Sequence, residues 1–240
     1  MRDGSSRQLH RQPYSADGTP RLTLLGTGTP APLLHRAGSS YLVQLDEENL
    51  LFDCGPFAVH RLLQVGVPPT AIDTLFLTHL HYDHAADYGY LALNRWDQGA
   101  GKLAELQVYG PPPLDRMTAA LFGPGGVWEP DLTARTENPS SQFVHEMRGG
   151  ELPRYPLLPD VTLVADGDVI SGDGWSVRVA EVVHVQPQLT CLAHRLEAGG
   201  RSIVFGGDTS PTPALTRLAE GADVLVHMCH FVNGVERDPR

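Results

Sequence analysis

Residues able to do chemistry are densest in "LFLTHLHYDHAAD", Leu75 to Asp87, where His79, His81, Asp83 and His84 crowd together. Neutral imidazoles and carboxylates are the usual protein ligands of zinc and related divalent ions. In a chain with 11 histidines, an H-x-H-x-D-H arrangement arises by chance in on the order of one such sequence in a thousand. The apolar residues Leu75, Phe76 and Leu77 read as a strand leaving the core, which puts the histidines on a loop at its end. A helix beginning near Ala85 reverses the chain. That turn aims His79 and His81 at one point and swings Asp83 and His84 toward another, leaving room for two neighbouring metal positions.

The elements needed to hold such a loop are legible around it. "RLTLLG" (21–26), "SSYLVQL" (39–45) and "NLLFDCG" (49–55) read as strands, the last two joined by the polar turn "DEEN", and predict an antiparallel meander. "PFAVHRLLQVG" (56–66) predicts a helix opened by Pro56 and closed by Gly66. A strand, "TLFLT" (74–78), runs into the histidines. "AADYGYLALNRW" (85–96) has helical spacing, and "ELQVYGPPP" (105–113) returns to strand before its prolines stop it. Residues 123–159, rich in Gly and Pro and weak in periodicity, predict an irregular loop, either disordered or a lid. Strand patterns resume in "VTLVADGDVISGDGWSVRVAEVVH", with "DGD" and "GDG" as turns. "TCLAHRLE", "RSIVFGGD" and "ADVLVHMCH" continue them, and a helix over "PTPALTRLAEGA" (211–222) separates the last two. The alternation is that of an α/β protein. "GTGTP" (26–30) is not a dinucleotide loop, because Pro30 and Pro32 forbid the helix such a motif opens and its third glycine is missing.

Composition sets the limits. A chain of 240 residues, 41% hydrophobic, can bury a sizeable core, read here as one domain over 21–240 after a flexible polar arm, 1–20. No apolar run approaches the roughly 18 residues of a membrane span, and the N-terminal stretch lacks the apolar region of a secretory signal. Cys54, Cys191 and Cys229 are too few and scattered for a disulfide framework or a CxxC clip, so a reducing, cytoplasmic location is expected. Acidic residues outnumber basic ones 28 to 18, giving a net charge of -10, which disfavours partners gripped through phosphates.

"THLHYDH" resembles the H-x-H-x-D-H motif of the metallo-β-lactamase fold superfamily, and the likeness runs over most of residues 22 to 230. "LTLLGTGTPAP" is similar to the opening strand and turn of its ribonuclease Z-like and arylsulfatase-like branch, and "LLFDCG" to the strand that follows. "VVHVQP", "RSIVFGGDTSP" and "GADVLVH" resemble later family segments in the expected order. Bland alternatives stay open at several positions. His184 and His227 each also fit a strand-end histidine, and Asp208 a turn aspartate capping the next helix.

The resemblance implies a four-layer αβ/βα sandwich binding two divalent ions, most readily zinc, with manganese or iron as alternatives. In family terms His79, His81 and His184 hold the first ion, Asp83 and His84 the second, and Asp208 bridges them. Asp53 orients a metal histidine. A hydroxide shared by the ions would attack an electrophilic centre, with Asp83 and His227 as catalytic residues and His227 protonating the leaving oxygen. The family usually closes with a further helix and histidine, whereas this sequence stops at Arg240. Truncation is therefore expected, unless His230 or a partner chain completes the second site. Tyr82 stands where ribonuclease Z proteins commonly have glycine, and its phenol would narrow the pocket or bond substrate. The favoured function is hydrolysis of an ester-like bond in a small molecule: a phosphodiester, a sulfate or phosphonate ester, or a lactone. The alternatives are a tRNA 3′-end endonuclease and a metal-binding interaction protein without turnover. Homodimers are common among such proteins, and neither nucleic acid nor membrane is an expected partner.

Overall fold

In "NLLF" three apolar residues follow one another without a break, and a strand with that pattern must be covered on both faces. In the computed structural model, which describes residues 18–46 and 48–229, this is strand β3 (Asn49–Phe52), buried throughout. Leu51 turns toward a helical layer, while Leu50 and Phe52 turn toward a second sheet. The neighbours repeat the alternation. In β2 (Ser40–Gln44), Leu42 packs with the helices and Val43 with the second sheet. In β4 (Thr74–Phe76), Leu75 and Phe76 divide in the same way.

These strands belong to a six-stranded sheet completed by β1 (Arg21–Gly26), β5 (Gln107–Gly110) and β6 (Asp160–Leu163), in the order β1-β2-β3-β4-β5-β6. The predicted antiparallel meander is present across β1, β2 and β3, and pairing is parallel from β3 to β6. The second sheet holds β7 (Val169–Gly172), β8 (Trp175–Glu181), β9 (Leu192–Ala198), β10 (Arg201–Phe205) and β11 (Val224–Val226), ordered β11-β10-β9-β8-β7. Helices α1 (Ala58–Gln64), α2 (Tyr82–Ala85), α3 (Tyr88–Gly99), α4 (Leu114–Phe122), α5 (Glu129–Glu137) and α6 (Pro139–Met147) accompany the first sheet, and α7 (Pro213–Ala219) lies on the second. Helices, sheet, sheet and helix make four layers, the αβ/βα sandwich. Among the described residues no helix is long and apolar enough to cross a membrane.

Rings seal the seam between the sheets. Phe52 stacks on Phe205 of the opposite sheet at 4.0 Å and on Phe76 at 4.9 Å, and Trp175 meets Phe76 edge-on at 5.9 Å. The Trp175 indole N–H donates to Glu48 Oε2 at 2.6 Å, satisfying the ring's polar edge. One floor of stacked aromatics therefore runs beneath the ends of β3 and β4, where the chemistry-bearing loop leaves the sheet.

Two sequence expectations change. The helix predicted over 85–96 starts later, as α3 from Tyr88, and the short helix α2 precedes it, because the Asp87 N–H donates to the Cys54 carbonyl at 2.9 Å and leaves the helical ladder. The stretch 123–159, expected to be irregular, contains α5 and α6. Pro130 and Pro139 sit in their first turns, where proline is tolerated, and the Asn138 side chain caps α6 by accepting the Ser140 N–H at 2.9 Å. Each buries a single residue, Leu132 or His145, which is why their periodicity is faint. Asp97 at the end of α3 tethers the region, accepting Arg135 Nη1 at 3.0 Å, Arg148 Nη1 at 2.8 Å and Arg154 Nη2 at 2.9 Å. The Arg154 guanidinium lies 3.8 Å over the Trp96 ring. Residues 1–17, most of the expected arm, lie outside the described residues.

Candidate metal centre

At the end of β3 the chain enters a left-handed turn at Asp53 (φ 57°), a conformation uncommon for a residue with a side chain. The turn buries the carboxylate completely. Its Oδ1 accepts the Thr78 N–H at 2.8 Å, its Oδ2 accepts His84 Nδ1 at 2.7 Å, and the Thr78 hydroxyl reaches both oxygens at 3.0 Å. Gly55 is required beside it, since a Cβ there would stand 2.0 Å from the Asp83 carbonyl oxygen. α2 can therefore lie directly against the turn, and the Cys54 N–H donates to the His84 carbonyl at 2.7 Å.

These anchors fix which nitrogen each imidazole offers. His84 holds Asp53 through Nδ1, leaving Nε2 free to face Asp83 Oδ2 at 3.7 Å and Asp208 Oδ1 at 3.6 Å. His79 Nδ1 lies 3.0 Å from the Thr78 hydroxyl, and its Nε2 faces His81 Nδ1 at 3.0 Å. His184, just beyond β8, brings its ring centre to 5.4 Å from that of His79 and 5.1 Å from that of His81. Asp208, after β10, stands between the groups, with Oδ1 toward His84 and Oδ2 3.8 Å from His184 Nε2. Two sets of donor atoms lie within 4.8 Å of one another, His79 with His81 and His184, and His79 with His84 and Asp208. Asp83 is beside His84 but outside both sets.

Charge follows burial and partners. Burial, with His84 nearby, pushes His79 down to about 3, so its ring is neutral and its lone pair is available. Burial likewise lowers His184, against the pull of Asp208. Burial opposes charge on both Asp53 and His84, but their mutual ion pair outweighs it, lowering the carboxyl and raising the imidazole. Imidazoles converging with carboxylates, with His79 and His84 each oriented by a hydrogen bond through the other ring nitrogen, form a donor set suited to divalent metal.

The remaining candidates divide. His227, exposed past β11, packs on Gly206, where a Cβ would lie 2.9 Å from its Nδ1. That places it on the strand end leading to Asp208. Tyr82 is 61% exposed, and its hydroxyl donates to the Pro30 carbonyl at 3.0 Å, bracing the loop after β1. His230 lies outside the described residues. Sequence reasoning passed over Thr78, which links Asp53 to His79, although "LTH" places a hydroxyl residue directly before the first histidine. It also passed over His194 on β9, fully buried between Phe52 and Phe76 at centroid distances of 6.1 and 5.7 Å. Burial pushes His194 down to about 4, and neither ring nitrogen has a hydrogen-bond partner among the described residues.

Comparison with known proteins agrees with this architecture. The family model described as the metallo-beta-lactamase superfamily matches residues 34–228. The chain belongs to the metallo-beta-lactamase superfamily. Within it, the chain is 35% identical over 226 residues to the ribonuclease Z of Mycobacterium sp. (strain KMS), covering 91% of this chain and 72% of that one. Two solved structures share the fold. One is a metallo-beta-lactamase fold protein from Bacillus subtilis, with TM-score 0.66, 23% identity, and 88% of this chain and 72% of that chain covered. The other is the short form of human tRNase Z, with TM-score 0.59, 21% identity, and 86% and 76% covered. The protein is thus a metallohydrolase of this superfamily, and its histidine and aspartate clusters fit the superfamily's metal site.

Proposed function

We propose that the protein is a ribonuclease Z-like phosphodiesterase that cuts RNA at the 3′ end of tRNA precursors. The observation that carries this reading is the 35% identity to a mycobacterial ribonuclease Z over 91% of the chain, joined to the donor set described above. It replaces the small-molecule hydrolase that the net charge favours, because whole-chain charge says little about one face of the molecule.

His79, His81 and His184 would hold one ion and His84, with Asp83 beside it, a second, while Asp208, with one oxygen toward each group, would serve both. When bound, such ions activate water and stabilise negative charge developing on the phosphoryl oxygens. The chain's own residues do the rest. Asp53 and Thr78 hold His84 and His79 in the tautomers that present Nε2. Burial keeps His79 neutral. His227, which packs on Gly206 two residues before Asp208, would give a proton to the departing 3′ oxygen.

The test is cleavage of a precursor tRNA carrying a 3′ trailer. The expected result is a single cut after the acceptor stem, lost in His81→Ala. An intact precursor with metal-loaded protein would overturn the assignment. The net charge of -10 favours the second reading, a small ester substrate. Turnover of a chromogenic phosphodiester or lactone by protein that leaves the precursor whole would establish it.

A further inference from the structure

His184 and Asp208 sit on two separate loops, after β8 and after β10, yet their facing atoms are 3.8 Å apart. Unanchored loops do not hold two side chains in one arrangement without a cost in conformational entropy. The anchoring is visible one residue away from each ligand. Thr209, only 6% exposed, accepts the Val183 N–H on its hydroxyl oxygen at 3.1 Å. The same hydroxyl has two acceptors within reach for its one proton, the Val183 carbonyl at 3.0 Å and the Ser210 carbonyl at 2.8 Å. The Ser210 N–H donates to the Val183 carbonyl at 2.7 Å. Residue 183 is thus pinned to residues 209 and 210 from both its backbone groups. On the far side of His184, Gln186 accepts the His184 N–H at 2.8 Å and donates back to the Val182 carbonyl. The loop carrying His184 is closed on itself by one side chain and fastened to the loop carrying Asp208 by another.

We propose that Thr209, supported by Gln186, is a positioning residue whose hydroxyl locks the His184 loop to the Asp208 loop and so sets the spacing of the two ligands before an ion arrives. The inference rests on the metal-site reading and adds residues that touch no ion. Thr209 works through a single oxygen that accepts from one loop while its own backbone belongs to the other. An isosteric valine removes that link and leaves the Val183 N–H without its partner, whereas serine keeps it.

The experiment compares wild type, Thr209→Val, Thr209→Ser and His81→Ala, each confirmed as folded by circular dichroism. Zinc affinity is read by competition with a chromophoric chelator, and ligand geometry by the visible absorption of the Co(II)-loaded protein. Thr209→Val is expected to bind zinc about 10- to 100-fold more weakly with an altered Co(II) spectrum, while Thr209→Ser stays near wild type. Wild-type affinity and spectrum in Thr209→Val would overturn the proposal, as would an equal loss in Thr209→Ser, which would assign the effect to packing of the methyl group. If Thr209→Val does not fold, Thr209→Ala gives the same readout against Thr209→Ser, since those two differ only in the hydroxyl. A loss in Ala but not in Ser supports the lock, and equal values overturn it. His81→Ala separates the two levels, since unchanged zinc binding in that variant refutes the metal site itself, whereas lost binding there beside intact binding in Thr209→Val refutes only the lock.

Discussion

Replacing Asp53 with asparagine changes almost nothing in shape and one thing in chemistry. The amide oxygen can still accept the Thr78 N–H, held at 2.8 Å in the native turn. The amide nitrogen then faces His84 Nδ1, 2.7 Å from the native Oδ2, and a donor meets a donor. His84 relieves the clash by moving its proton to Nε2, the nitrogen that looks toward Asp83 and Asp208. The lone pair offered to a metal is lost with it. Changes to the partner that orients a metal histidine weaken metal binding about 10- to 100-fold, or roughly 1.4–2.7 kcal/mol. Losing one member of a fully buried ion pair costs up to about 3–5 kcal/mol of stability, and the retained Thr78 bond keeps Asp53→Asn at the low end of that range. Zinc competition and urea unfolding measure the two effects. An Asp53→Asn protein that binds zinc as tightly as wild type would refute the tautomer argument, whatever its stability.

Dialysis against a chelator is expected to abolish hydrolysis and lower the Tm, with zinc or manganese restoring both; activity that survives complete demetallation contradicts the site. Phe52→Ala removes the ring stacked on Phe205 and Phe76 in the inter-sheet seam, and is expected to cost about 3–5 kcal/mol in denaturant unfolding, so a loss below about 1 kcal/mol would show that the seam repacks. Asp97 is expected to contribute to stability at neutral pH. Burial opposes its charge, but Arg154, Arg148 and Arg135 hold its carboxyl below the usual carboxylate range. A lowered folded-state value means this stability is present above the unfolded carboxylate pKa, about 3.9, and is lost as pH falls through the folded one. Asp97→Asn should therefore lower the Tm at pH 7 and lower it by less as the pH falls below the unfolded carboxylate pKa, which thermal melts over that range check.

What the sequence displayed and what it concealed follow from the range of the interactions involved. The histidine cluster is legible because its residues are adjacent in the chain, and the strand running into it because Leu75, Phe76 and Leu77 are apolar without a break. The union of His184 and Asp208 with that cluster needs two loops from the second sheet, so only resemblance to a family foretold it. α5 and α6 were hidden because each buries one residue and depends on Asp97, a side chain dozens of positions earlier in the sequence. The bond from Trp175 to Glu48 spans 127 residues and has no local signal. His194 was invisible for a different reason, since one histidine in an apolar strand resembles any other until its surroundings are known. Net charge bears weakly on the choice of substrate because it averages over surfaces that substrates meet one at a time.

The seam between the sheets has a consequence for the order in which the site is made. Asp53, His79, His81, Asp83 and His84 are all translated with the first sheet, whereas His184 and Asp208 belong to the second. A ribosome delivers the amino-terminal half first, so a nascent chain displays most of the donors long before it can close the cage. Tight capture of an ion must wait for the two halves to meet. An ion held from both sides would oppose their separation, because a ligand that binds only the closed form favours it. Metal would then double as the fastener of a finished fold.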